Sequence, residues 1–201
     1  MLWNQVTHPG TGAFWYSCDM RLLEIGGLGD HDFRIRLVLP VWRLYGFEPR
    51  YEPFFWQLGD DDLQARLDPI LAWIDALPRG EQIVIVGSSA GGVIAALLLL
   101  LRPNRIRRVV AISSPLNRFK HSKNKLLNTA LAEFDKRFSQ ADPLLRARIG
   151  SFRGRLDDIV RPTFSVVPGA FNHQLPTRGH VWTIAMALTW YSRRLSSYLS
   201  R

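Results

Sequence analysis

Residues 82–97 read Gln-Ile-Val-Ile-Val, then Gly-Ser-Ser-Ala-Gly, then Gly-Val-Ile-Ala-Ala-Leu. An apolar β-branched run, a sharp turn and a helix-forming run follow one another without a spacer. That order commits the stretch to a strand passing directly into a helix. Ser89 stands at the tip, in the G-x-S-x-G spacing of a nucleophile elbow. Gly87 and Gly91, two residues before and two after it, keep the crossing small where strand and helix nearly touch. Such a turn forces its tip residue into a strained conformation and lifts Ser89 Oγ clear of the backbone. It also sets the Ala90 N–H at a helix N-terminus, where it can help bind an oxyanion. A tight turn without chemistry is the other reading of these residues alone.

The flanking segments extend the strand–helix alternation. Met20–Ile25 reads as a strand ending in Gly26-Gly27-Leu28-Gly29. Asp30 or Asp32 caps a helix running to Val38, interrupted by Pro40, with Gly46 after its last turn. A short strand over 48–55 is weakened by Pro49 and Pro53. Asp60-Asp61-Asp62 opens a helix whose Leu63, Leu67, Ile70, Leu71, Ile74 and Leu77 share one face. The helix after the elbow reaches about Leu101 and stops at Pro103; a strand over 108–112 follows. Residues 117–147 read as helical, and 147–152 and 163–167 as strands. Residues 172–179 read as turn-rich, and a closing helix spans about 181–199.

Alternation of this kind predicts an α/β fold: a mostly parallel central sheet with helices on both faces. Ligands on such sheets bind at the carboxyl ends of the strands. Gly27, Ser89, Ser113 and Asp157 each follow a predicted strand and are expected along one edge. The 201 residues contain no linker or repeat, so a single domain over 1–201 is expected.

Other functions lose ground on simple counts. Cys18 is the lone cysteine, which excludes an internal disulfide and a cysteine-based zinc site. No His/Asp/Glu cluster has metal-ligand spacing. Gly87-Ser88-Ser89-Ala90-Gly91-Gly92 lacks the lysine of a phosphate-binding loop. Asp32 stands where a dinucleotide-binding G-x-G-x-x-G needs its third glycine. The start of the chain does not read as a signal peptide, and the longest apolar run, Val93 to Leu101, is too short to span a bilayer. A cytoplasmic protein is expected. The formal charge is +9, with a basic stretch over 102–125 free of acids. Its aromatic residues are not interleaved as a nucleic-acid platform would need, so no nucleic-acid partner is expected. The stretch reads as a solvated surface, or as one making weak contact with an anionic membrane surface.

A serine hydroxyl needs an adjacent base, and the base an orienting carboxylate. Among His8, His31, His121, His173 and His180, the last stands in a loop just before the final helix, with His173 its main competitor. Asp157 and Asp158 follow a predicted strand, and adjacent acids point differently, so one of them should reach the histidine. The order Ser89, Asp157, His180 is neither that of chymotrypsin nor that of subtilisin. Leu28, in the Gly-rich turn, can offer a second N–H beside that of Ala90 as an oxyanion hole. Trp42, Phe54, Phe55, Trp56, Phe119, Phe171 and Trp182 are candidates for an acyl pocket or, more simply, for core.

From Met20 to the last helix the chain resembles the α/β-hydrolase superfamily, as a compact esterase- or lipase-like member. Gly26-Gly27-Leu28-Gly29-Asp30-His31, Gly87-Ser88-Ser89-Ala90-Gly91-Gly92, Leu156-Asp157-Asp158-Ile159-Val160 and Arg178-Gly179-His180-Val181 carry the likeness. The family's acid stands three residues before the valine of a D-x-x-V turn, which selects Asp157. The resemblance implies a Ser-His-Asp mechanism without a cofactor, acting on a small-molecule ester or other acyl substrate. Gly26 departs from the histidine that often begins the first loop, and Ser88 from the histidine common before the nucleophile. Residues 117–147 are the segment that could form a helical cap. The alternative is a non-catalytic relative that holds an acidic partner on the basic 102–125 stretch.

Overall fold

The computed structural model describes residues 20–29, 32–57, 62–117 and 122–201, with the side chains of 32–34 left aside. The strands are β1 (Met20–Ile25), β2 (Phe47–Glu52), β3 (Ile83–Ser88), β4 (Ile106–Ile112), β5 (Ile149–Leu156) and β6 (Phe171–Arg178). The helices are α1 (Asp32–Val38), α2 (Pro40–Arg43), α3 (Leu63–Asp75), α4 (Ala90–Leu101), α5 (Lys125–Gln140), α6 (Pro143–Arg146), α7 (His180–Leu188) and α8 (Ser192–Leu199). The strands form one six-stranded sheet in the order β2-β1-β3-β4-β5-β6. Every pairing is parallel. All strand carboxyl ends therefore lie along one edge.

Strand alternation divides the core between the two faces. Leu23, Ile25, Ile83, Ile85, Val109 and Ala111 join the side chains of α3, α4 and α5. Leu22, Val84, Val86, Val110, Ile112 and Phe152 join Trp42 and the buried positions of α7 and α8. β3 is buried on both faces, which explains its unbroken Ile/Val run. The leucine run of α4 is covered almost all round by the sheet and α5. The apolar face of α5 packs on α4 and α3 as part of that layer. The sheet edges are blunted by proline: β2 carries Pro49 and β6 carries Pro176.

Three segments depart from expectation. Residues 163–167 are not a strand; a 3₁₀ turn covers Pro162–Ser165. Pro162 starts it, the Phe164 N–H closes on Arg161 O at 2.8 Å, and both backbone groups of Val167 are taken by the Asn172 side chain. The last strand is instead 171–178, within the stretch read as turns. Its inward alternation runs Phe171, His173, Leu175, Thr177, half polar and interrupted by Pro176, so it carries little hydrophobic signal. The closing helix is two helices. Thr189 leaves the helical conformation and Tyr191 N–H bonds back to Met186 O at 2.9 Å. The break re-aims α8 so that Leu195, Tyr198 and Leu199 reach the core. Among the described residues no helix is long and apolar enough to cross a membrane.

Candidate active site

The β3–α4 turn sets Ser89 at φ +52°, ψ −122°, a strained conformation for a residue with a side chain. Its own N–H is tied to Ile112 O at 2.8 Å, which anchors the elbow to β4. The glycines are required by distance. A Cβ on Gly87 would lie 2.4 Å from Gly91 O, and one on Gly91 would lie 2.2 Å from Ile25 O. The turn after β1 approaches from the side: a Cβ on Gly27 would come 2.8 Å from Ser89 Cβ. Trp56 Nε1 donates to Gly26 O at 3.0 Å, and Gln57 Nε2 donates to Leu28 O at 3.4 Å. These bonds fix the turn from its far side. Among the described residues, neither the Leu28 N–H nor the Ala90 N–H has an internal acceptor.

Asp157 and Asp158 follow β5 and divide two tasks. Both Asp157 carboxylate oxygens meet His180 Nδ1, at 3.0 and 2.9 Å. Asp157 Oδ1 also accepts the N–H groups of Ile159 and Val160, at 2.9 and 2.8 Å. Its side chain is 1% exposed. Burial pulls this carboxyl upward. The His180 hydrogen bond, the Val160 N–H, the imidazole's charge and the Ile159 N–H together outweigh burial and hold it below the usual carboxylate range. Asp158 instead accepts the backbone N–H of His180 at 2.9 Å, fixing the first turn of α7. The imidazole is thus held at Nδ1, leaving Nε2 as its other ring nitrogen.

Ser89 and His180 line one cavity of about 300 Å³ with Gly27, Leu28, Gly29, Ile35, Val38, Ile159, Val181, Ile184, Ala185 and Leu188. Among the described residues, Ser89 Oγ makes no direct hydrogen bond to His180. The competing imidazole, His173, lies in β6, where it accepts from Arg194 at 2.8 Å and packs by Phe152 and Phe171. Burial, then Arg194 and Arg153, push its pKa down. His8, His31, His121, Phe119 and Cys18 lie outside the described residues.

None of the described aromatic candidates lines the cavity. Trp42, Phe54 and Trp56 are buried in the core, Phe171 is at the β6 edge, and Phe55 and Trp182 face solvent. The lining is aliphatic. Its sequence signal was the spacing of His180, Ile184 and Leu188, four residues apart on one helix face. Among the described residues no group of His, Cys, Asp or Glu side chains could hold a metal.

Among curated proteins, none matches this chain. Solved structures do. One is an alpha/beta hydrolase enzyme from the metagenome of lagoon sediments at Mar Chica, Morocco: 16% identity, 90% of each chain covered, TM-score 0.68. A meta-cleavage product hydrolase from Pseudomonas fluorescens is also 16% identical over 90% of each chain, with TM-score 0.65. A monoacylglycerol lipase from Paleococcus ferrophilus is 15% identical over 89% of this chain and 93% of its own, with TM-score 0.60. The family model described as alpha/beta hydrolase fold matches residues 12–163. With a parallel sheet that carries its strained serine turn at the carboxyl edge, the chain belongs to the alpha/beta hydrolase fold family.

Proposed function

We propose that the protein is a serine hydrolase that cleaves a carboxylic ester, or a thioester, through an acyl-enzyme. The observation that carries this is the buried His180–Asp157 pair, with its imidazole on the wall of the cavity that holds Ser89. Ser89 Oγ attacks the acyl carbon while His180 Nε2 takes its proton. The Leu28 and Ala90 N–H groups receive the oxyanion, each donor typically worth about 3 kcal/mol of transition-state stabilisation. His180 then protonates the leaving alcohol as its bond to the acyl carbon breaks. Water adds to the acyl-enzyme with His180 again as base, and collapse frees the acid and Ser89. Asp157 stays ionised and holds the imidazolium. An aliphatic cavity suits an acyl chain, and the similar structure named as a monoacylglycerol lipase fits the same chemistry.

Ser89→Ala is expected to lower turnover of p-nitrophenyl esters by about 10⁴-fold or more, with an unchanged circular dichroism spectrum. A fluorophosphonate should label Ser89 and no other residue. Full turnover by the alanine variant sinks the assignment.

A further inference from the structure

One face of α7 forms a wall of the cavity. His180, Val181, Ile184, Ala185 and Leu188 all line it, and they form a single helical stripe. At 1.5 Å rise per residue, the stripe from His180 to Leu188 is about 12 Å long. Ile35 and Val38, one turn apart on α1, line the cavity as well. At the far end of the stripe Leu188 is 3% exposed and belongs to the core cluster on which Val38 and Ile184 pack, so the stripe runs into packed side chains there. Along one flank the hollow is open, since Val181 is 62% exposed and Ala185 is exposed. The feature is therefore an aliphatic track along α7. Ser89 and His180 stand at its head and buried Leu188 at its foot.

The geometry points to a linear, medium-chain acyl group as the substrate's apolar part, about eight to ten carbons lying along α7 with its carbonyl at Ser89. This rests on the hydrolase reading above and adds to it a chain length and a direction. A short acyl group leaves the track unfilled. Each methylene buried along the stripe should raise kcat/KM by roughly three- to fourfold until the track is full.

The test is a p-nitrophenyl ester series from acetyl to palmitoyl on the unaltered protein, with fluorophosphonate labelling of Ser89 alongside. kcat/KM is expected to climb through octanoyl and to stop rising beyond decanoyl. Ala185→Trp lays an indole across the track from an exposed helix position and should cut the octanoyl-to-acetyl ratio at least tenfold. Labelling of Ser89 with a flat profile, a maximum at acetyl, or a ratio that Ala185→Trp does not move overturns the inference and leaves the hydrolase reading standing. No labelling and no turnover of any ester overturns both. The series on the unaltered protein decides even where the tryptophan variant does not fold.

Discussion

Ser89 holds a left-handed conformation that costs a residue with a Cβ about 1–3 kcal/mol. Ser89→Gly removes that cost and is expected to stabilise the protein by about 1 kcal/mol in urea unfolding, while ending ester turnover. An unstrained turn would show no gain. Gly27 limits the same site from the other side, since a methyl there meets Ser89 Cβ and, at 3.0 Å, Ser88 O. Gly27→Ala should lower the kcat/KM of the proposed ester hydrolysis by about a hundredfold through displacement of the turn that carries the Leu28 N–H, with only a small change in Tm. Asp157 links the site to acid stability. Its folded-state pKa is depressed, so its contribution is complete above the unfolded value of about 3.9 and is lost as pH falls through the folded value. Asp157→Asn should flatten the fall in urea midpoint below about pH 4 and lower kcat/KM by about 10⁴-fold. An unchanged pH profile of stability would show that the carboxyl is not held down.

At the scale of elements, the boundaries that read plainly were those marked by residues close by in the chain. α3 combines an apolar face with a cap: Asp62 accepts the Gln64 N–H at 2.9 Å and the Ala65 N–H at 3.4 Å. Its periodicity carried it through Pro69, which falls inside the helix. Asp62→Ala should cost about 1 kcal/mol in urea unfolding; a neutral result would mean that packing alone starts the helix. β6 shows the opposite case. Its hydrogen-bonding partner, β5, lies some twenty residues earlier and supplies the register that a polar edge strand does not display. The α7–α8 break was equally hidden, because Thr189, Trp190 and Tyr191 are tolerated in helices and only packing on two different parts of the sheet separates the halves.

Across the whole molecule, much of the basic stretch over 102–125 acts as internal fastening. Arg102 pairs with Asp75 at 2.7 and 2.8 Å. Arg105 donates to the carbonyls of Asp75, Leu77 and Pro78, Arg107 to Ser200 O, and Arg108 lies over the Tyr198 ring. These residues sit at or just before the start of β4, the opposite edge of the sheet from Ser89. Arg105→Ala should therefore destabilise the fold by about 2 kcal/mol while the ester turnover proposed above persists at permissive temperature. Unchanged stability would return the stretch to the role of a free binding surface. By itself the sequence determined the parallel α/β plan and the elbow, because both depend on residues adjacent in the chain: an apolar run, two glycines and the serine between them. The order of motifs also nominated Ser89, Asp157 and His180. Only the tertiary structure decided how the two adjacent acids divide between the imidazole and the backbone of α7, which residues line the cavity and where the arginines point. Those outcomes depend on distances between segments tens of residues apart, and only the sheet register and the packing of helices on it set such distances.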